Sequence, residues 1–382
     1  MGLKTYGLLT ILSASLVTPK ILAGENVTFY GNIATAYHTH QRTKIDTSDA
    51  DISNAVSRSG ATVYTKDQNY SVIGSGYTDS KFGLDFTASK KVTGKLEFKA
   101  AIGETGTDQP ASVQKYYLSS DLGVGNLKLG RDVRIFSSVA YYTDSFNFAN
   151  LWFAGSVYGP EHGTGISFDS SDLLGAINFK LGLLNPTAGT SEAKPQGGNS
   201  EPSVEAMVGY HRDTFGADFA LISEKRTVNY IGGDNPTWDV ANGLAYSLGV
   251  WANISFLEAT FVYTGGDALY DSVTQGAVMS KKKNDQMSAF ATYLKASFGD
   301  VKAALYLGMQ TLSHSKKNGA TDKDGNSKTI DDVGTTYGIH LGYDWKELTF
   351  AGEAINTTRA YDGQTIENDT YFSIGALTSF SS

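Results

Sequence analysis

Residues 81–102 read KFGLDFTASKKVTGKLEFKAAI and contain two runs of strict alternation separated by a short turn. In the first run Phe82 and Leu84 alternate with polar residues, and in the second run Leu96 and Phe98 do the same. A two-residue period is typical of β-strands that have one apolar and one polar face. These residues therefore predict an antiparallel β-hairpin that is apolar on one side only.

The same alternation recurs outward from this hairpin, from Val27 to Phe380, and predicts sixteen strands. Seven short connections alternate with eight long, mostly polar ones, so one end of the sheet carries short turns and the other carries long loops. The predicted long connections are His40–Asp79, Glu104–Ser112, Ile135–His162, Asn185–Pro202, Lys225–Asn242, Gly265–Gln286, Leu312–Gly334 and Thr358–Asp369. An even number of long strands with both termini on the short-turn side is the pattern of outer-membrane barrels. We therefore predict an all-β fold, a transmembrane antiparallel β-barrel with sixteen strands.

Charged residues on the predicted strands share one parity. Asp85, Glu97 and Lys99 all alternate with rows of Leu and Phe. A basic side chain that faces the middle of a bilayer costs about 2–4 kcal/mol, so these charges should face the barrel interior. A charged interior must hold water, and a barrel of about sixteen strands leaves room for an aqueous channel.

The connection Ile135–His162 differs from the other long loops because it is rich in aromatic residues. It contains Phe136, Tyr141, Tyr142, Phe146, Phe148, Trp152, Phe153 and Tyr158. This is too apolar for a loop in free solvent, yet it lacks the two-residue period of a strand. We predict that this third long loop folds into the barrel and narrows the lumen.

The composition limits other functions. The chain has 382 residues, no cysteine and a formal charge of -8, which excludes disulfides and thiolate metal sites and argues against nucleic-acid binding. Residues 1–23 have the positive end, apolar centre and small final residue of an export signal, which leaves residues 24–382 as one barrel domain.

No constellation for catalysis or cofactor binding stands out in the sequence. The six histidines show no metal-like helical spacing, and no Gly-x-Ser-x-Gly motif is present. The run Asp322–Asn326 offers oxygen ligands, but its glycine is misplaced for an EF-hand loop, which favours a polar surface turn over a calcium site. We expect a protein that is not an enzyme and has no cofactor.

Several short motifs resemble the Gram-negative general porin family. Val27–Gly31 is similar to the first strand of that family, and Ser80–Gly83 is similar to its second. Gly125–Arg131 is similar to the glycine-arginine signature before the third loop, and Tyr142–Asp144 resembles the start of that loop. The resemblance implies a homotrimer of sixteen-stranded barrels that contacts outer-membrane lipid and lipopolysaccharide and passes small hydrophilic solutes. It also implies an acidic third loop that faces basic side chains on the wall.

The residues predicted to bear the charge of the constriction and lumen follow from this resemblance and from strand parity. Asp144 matches an acidic loop position of the family, and Glu161 is a second acid by location. The full set is Asp144, Glu161, Arg131, Arg134, Lys99, Glu97, Asp85 and Lys115. The chain departs from the family at Phe146–Asn150, which replaces a Pro-Glu-Phe-Gly-Gly segment, and at the expected wall arginine, for which only Gln114 or Lys115 is available.

The sequence thus favours a channel for passive diffusion of ions and small hydrophilic solutes, narrowed by residues 135–162, with a weak preference for cations. A substrate-specific channel is an alternative reading. A β-barrel adhesin or receptor with incidental conductance is another, and a soluble secreted β-protein is a third.

Overall fold

A computed structural model of the chain describes residues 27–43, 45–59, 67–74, 80–100, 112–140, 142–143, 162–170, 175–186, 202–229, 238–267, 286–314, 321–322 and 324–381. The predicted export signal lies outside these residues. The strands are β1 (Val27–Arg42), β2 (Gln68–Gly74), β3 (Ser80–Ser89), β4 (Val92–Ala100), β5 (Ser112–Asp121), β6 (Asn126–Val133), β7 (His162–Asp169), β8 (Ile177–Pro186), β9 (Ser203–His211), β10 (Phe215–Asn229), β11 (Trp238–Ile254), β12 (Leu257–Asp267), β13 (Gln286–Phe298), β14 (Val301–His314), β15 (Ile330–Trp345), β16 (Leu348–Tyr361) and β17 (Gln364–Ser381). The helices in these ranges are α1 (Ala50–Ser59) and α2 (Ile135–Ala140).

The strands form one closed antiparallel barrel. Each strand from β3 onward pairs with the next along the chain, and β1 pairs with β17 from Tyr30–Ser381 to Arg42–Asp369, which closes the sheet. One half of β1 pairs with β3 and the other half with β2, so β2 and β3 together occupy a single strand position. The seventeen strand segments therefore fill sixteen positions, which confirms the predicted sixteen-stranded barrel.

The two faces of the barrel follow the predicted parity. Large apolar side chains at alternate positions point outward and are exposed, for example Val204 and Val208 on β9 and Leu305 and Leu307 on β14. The intervening positions, such as Glu205 on β9, are buried inside. A barrel that is covered with aliphatic side chains outside and polar inside is stable only with lipid around it, because in water this surface would remain a very large exposed apolar patch.

A charge placed on the outer face should therefore destabilise the barrel. Leu181 points outward from β8, whereas its neighbour Lys180 points inward and pairs with Asp169 at 3.3 Å. We expect Leu181→Lys to lower the free energy of unfolding by about 2–4 kcal/mol, measured by denaturant titration in lipid vesicles. Lys180→Gln is the matched control and should cost no more than about 1 kcal/mol, because the ion pair that it removes is half-exposed. Equal costs for the two variants would contradict the assignment of faces.

The predicted long loop His40–Asp79 contains more regular structure than the sequence suggested. β1 continues to Arg42 and α1 follows. β2 then pairs with the half of β1 that lies nearest the long-loop end. The sequence predicted a long polar connection here but not the helix and strand within it; β2 is only seven residues long and pairs with a strand about thirty residues away. Such a short, non-local pairing leaves almost no local pattern.

The predicted long loop Thr358–Asp369 is also wrong, because β16 and β17 form a tight hairpin. Their turn is Asp362–Gly363, with φ angles of 52° and 78°. Asp-Gly at a two-residue turn with both φ angles positive is a strong hairpin signal. The polar residues around it belong to strands that extend beyond the apolar band, and the same extension occurs in β10 and β11, which take up parts of the predicted loop Lys225–Asn242.

The helices are short. Asp49 caps the first turn of α1, since its Oδ1 accepts hydrogen bonds from Asp51 N at 2.8 Å and Ile52 N at 3.3 Å. In the part of the chain that the structure describes, no helix has the length and hydropathy that crossing a bilayer requires.

Candidate functional site

The candidate site is the lumen and the segment that enters it after β6. α2 carries Ile135, Phe136 and Val139 on one side, and these side chains are buried together against β8–β12. The same buried cluster contains the wall residues Met207, Ala220, Ile222, Ala245, Val262, Met287, Ala289 and Leu312. All these wall positions have the inward parity. The start of the third long loop is therefore folded into the barrel, as predicted, and it covers an apolar strip of the inner wall.

Arg134 anchors this segment where it leaves β6. Its Nε donates to Glu205 Oε1 at 2.6 Å, and its Nη2 donates to Glu224 Oε2 at 3.0 Å and to Ser203 Oγ at 3.3 Å. The other oxygen of Glu205 accepts the backbone N–H of Phe136 at 3.0 Å. Arg134 is 1% exposed and Glu205 is fully buried. Charged hydrogen bonds in such a dry site are strong and specify one geometry.

Two wall glycines make room for the segment. A Cβ atom on Gly182 would lie 2.9 Å from Ile135 Cδ1, and one on Gly249 would lie 2.8 Å from Tyr142 Cδ2 and 3.0 Å from Val139 Cγ1. Both positions face inward. Because both positions are glycine, α2 and Tyr142 can approach the wall more closely than a larger residue at either position would allow.

A second anchor lies deeper in the barrel. The Tyr142 hydroxyl donates to Asp218, and the same carboxylate lies 2.9 Å from His211 Nε2. His211 Nδ1 is in turn 3.3 Å from Asn178 Nδ2. Asp218 lies six residues from Glu224 on β10, about 20 Å along the strand at roughly 3.3 Å per residue. The segment is therefore held at two well-separated heights of one wall.

The predicted charge set divides into several groups. Asp144 and Glu161 lie outside the described residues. Arg134 belongs to the buried anchor and is not a solvated lumen charge. Arg131 differs from the expectation more clearly, because it shares the outward parity of Leu129, and its Nε donates to the backbone oxygen of Gln114 at 3.0 Å.

The other four predicted residues lie together on the inner face of β3–β5. Glu97 accepts a hydrogen bond from the Tyr30 hydroxyl at 2.9 Å and lies 3.5 Å from Lys115 Nζ. Asp85 lies 3.3 Å from Lys95, whose Nζ is 4.5 Å from the centre of the Tyr30 ring. The inward charges on these three strands are Lys81, Asp85, Lys95, Glu97, Lys99 and Lys115, together with Asp121 at the short-turn end of β5. This wall is six strand positions from β10, so it stands nearly opposite α2.

Five ion pairs line the half of the barrel nearest the short turns. They are Asp85–Lys95 at 3.3 Å, Lys128–Asp132 at 2.8 Å, Asp169–Lys180 at 3.3 Å, Glu258–Lys295 at 2.9 Å and Lys302–Asp344. Each pairs a lysine with a carboxylate on the inward face, and both side chains are partly exposed. Paired charges that keep this exposure inside a barrel require water around them.

The anchor residues on the wall were not predicted as site residues. Glu205 and Asp218 have the inward parity in the sequence, but their pairing with Arg134 and Tyr142 joins segments about seventy residues apart. One signal was available: Arg134 directly follows a strand and precedes an apolar helix, so a buried partner was required for its charge.

The other chemical features of the sequence have local structural roles. Asp322 Oδ1 accepts the backbone N–H groups of Asn326 at 2.7 Å and Asp324 at 3.0 Å, and these bonds lower the pKa of Asp322. Its carboxylate thus closes a turn. Among the described residues, no group of three or more His, Asp or Glu side chains is arranged to hold a metal ion.

Comparison with known proteins bears on the fold. No protein-family model and no curated protein sequence matches the chain. Solved structures do match. The outer membrane channel DcaP of Acinetobacter baumannii has a TM-score of 0.62 at 16% identity, and the match covers 94% of this chain and 99% of DcaP. The anion-selective porin from Comamonas acidovorans has a TM-score of 0.58 at 12% identity, with 93% and 99% coverage of this chain and that one. The trimer form of OmpT of Vibrio cholerae has a TM-score of 0.58 at 11% identity, again with 93% and 99% coverage. The chain is therefore an outer-membrane-type β-barrel with the fold of porins and related channels.

Proposed function

We propose that the protein is a water-filled channel of a Gram-negative outer membrane through which ions and small hydrophilic solutes diffuse passively. The observation that carries the proposal is that Arg134 and Tyr142, which lie before and after α2, are pinned to the inside of a closed barrel at two heights. A segment held this way occupies part of the lumen and would narrow it. The structural neighbours described as channels and porins support the same reading.

The charge distribution supports weak ion selectivity. The five lysine–carboxylate pairs near the short turns cancel pairwise. On β3–β5, four lysines face inward with three carboxylates, one of them Asp121 at the short-turn end, and this small local excess of positive charge opposes the cation preference expected from the net charge. A unit charge about 8 Å from a passing ion contributes roughly 0.5 kcal/mol in water, so each lysine changes permeability by only about twofold.

The outer face of β17, β1, β3 and β4 supports the proposal of a homotrimer. Aromatic rings stack flat on this face, with Phe29 5.9 Å from Phe380 and Phe82 5.1 Å from Phe98 between ring centres. Aromatic pairs also lie on the outer face elsewhere, as between Phe219 and Tyr246, whose ring centres are 6.5 Å apart on β10 and β11, whereas β14 is mainly aliphatic there. Aromatic residues are enriched where proteins meet, which makes this face one candidate for contacts between barrels.

Reconstitution in planar lipid bilayers tests the proposal. We expect stepwise ion conductance from the purified, detergent-extracted protein, with three equal steps for each inserted trimer. Under a salt gradient, the double variant Lys81→Glu/Lys99→Glu should shift the reversal potential toward cations by severalfold in permeability ratio. Asp331→Asn/Glu347→Gln, which alters charges away from the inner wall, is the control and should leave the reversal potential unchanged. Folded protein that inserts without conducting would favour an adhesin or receptor instead.

A further inference from the structure

A second helix also enters the mouth of the barrel. Ala55 of α1 is fully buried against Ile330, Tyr361 and Ile366, with Val56 beside it. Ile330 begins β15 and Tyr361 ends β16, and both positions have the inward parity of Asp332. α1 therefore lies against the inside of the wall at the long-loop end, on β15–β17.

Two features hold α1 in this position: the connection before it and the wall beneath it. Before the helix, the backbone N–H of Thr43 donates to Asn368 O at 3.0 Å, which ties this connection to β17. The wall beneath is the tight β16–β17 hairpin, whose turn residue Asp362 is 2.6 Å from Lys328 Nζ and donates its N–H to Asp331 O at 3.1 Å. α1 thus rests on a braced hairpin at the place where a long loop was expected.

Buried charges lie directly below α1 on the same strands. Arg359 donates to Asp332 at 2.9 and 2.5 Å, and both side chains are almost completely buried. Asp369 lies 3.0 Å from His40 Nε2 and 3.3 Å from Arg42 Nε. Such ion pairs need exact partners when water is excluded, so the wall under α1 has a fixed shape.

The two helices stand on opposing walls. α2 contacts β8–β12, and α1 contacts β16 and β17. β10 and β16 are six positions apart in a barrel of sixteen. Among the described side chains of α1, Ala50, Ser53 and Asn54 are exposed and Asp51 is partly exposed.

We propose that α1 is a second size-limiting element of the channel, placed at the long-loop mouth. This inference rests on the proposed channel function. In the proposed channel, a solute that enters from the long-loop end passes first between α1 and the facing wall. It then passes beside α2 and Tyr142.

The test displaces α1 from the wall. Ala55→Asp places a charge in a fully buried apolar contact and should release the helix, whereas Asn54→Asp adds the same charge at the neighbouring exposed position. We expect Ala55→Asp to increase single-channel conductance and to admit larger neutral poly(ethylene glycol) chains in exclusion measurements. The Asn54→Asp channel should match the wild type in both, and the reversal potential of Ala55→Asp should follow that of this control.

A second variant guards against misfolding. Replacement of residues 50–59 by a Gly-Ser linker removes α1 without placing a charge on the wall, and it should widen the channel in the same way. A conducting wild type with unchanged conductance and exclusion limit in both folded variants would overturn the role of α1 alone. A silent wild type would overturn the channel itself, so the two failures are distinguishable.

Discussion

Replacement of Arg134 by methionine should both destabilise the barrel and increase its single-channel conductance. The variant leaves the carboxylates of Glu205 and Glu224 buried without their common partner. Removal of one member of a buried ionic cluster typically costs about 3–5 kcal/mol, which denaturant titration in vesicles would measure. α2 also loses the anchor that Arg134 provides, so it should move more freely and obstruct the lumen less.

Two controls separate the anchor from a general effect of charge. Lys180→Met removes a lysine from a half-exposed pair with Asp169 and should cost no more than about 1 kcal/mol, with normal conductance. The triple variant Arg134→Met/Glu205→Gln/Glu224→Gln removes the unpaired charges and should recover part of the lost stability, but not the wild-type conductance. A stable Arg134→Met channel with wild-type conductance would exclude the anchoring role.

Substitution of Gly249 by valine should change conductance in the opposite direction. A Cβ at this position lies 2.8 Å from the Tyr142 ring and 3.0 Å from Val139, so α2 must move away from the wall. Arg134 still holds the segment at its upper end, and the displaced part can move only toward the axis of the lumen. We expect lower single-channel conductance and a loss of about 1–3 kcal/mol of stability from overpacking.

Gly352→Val is the matched control for this variant. Gly352 lies on the outward parity of β16, and an added Cβ there meets no atom within 4 Å. The control should conduct like the wild type. Higher conductance of Gly249→Val, or equal effects of both valines, would contradict the position of α2 on the wall.

The sequence contains enough information for the barrel because each face repeats one simple rule. The alternation of Phe82 and Leu84 with Lys81 and Asp85 requires neighbouring residues alone, and it correctly separates the lipid-facing from the inward side. β2 could not be found in this way, since its strand character comes from its distant partner β1. The turn at Asp362–Gly363 could have been found, because its Asp-Gly signal is local.

The site was harder to predict from the sequence than the fold. Parity placed Glu205 and Asp218 inside, but parity does not say which inward charge meets which. Arg131 and Arg134 look equivalent in the sequence, yet they are only three residues apart and have different positions. Arg131 has the outward parity of β6, whereas Arg134 follows the strand and belongs to the buried anchor. Three-dimensional packing alone distinguishes a solvated charge from an anchoring one.

The seam between β1 and β17 has a consequence for biogenesis. β17 (Gln364–Ser381) is the partner of β1, so the thirteen residue pairs from Tyr30 to Arg42 cannot form until β17 has been synthesised. A chain cut short before this strand would present two rows of unsatisfied amide groups to hydrocarbon, each costing several kcal/mol. Membrane insertion should therefore be all-or-none with respect to the C-terminal strand, and truncated chains should remain as substrates for periplasmic proteolysis.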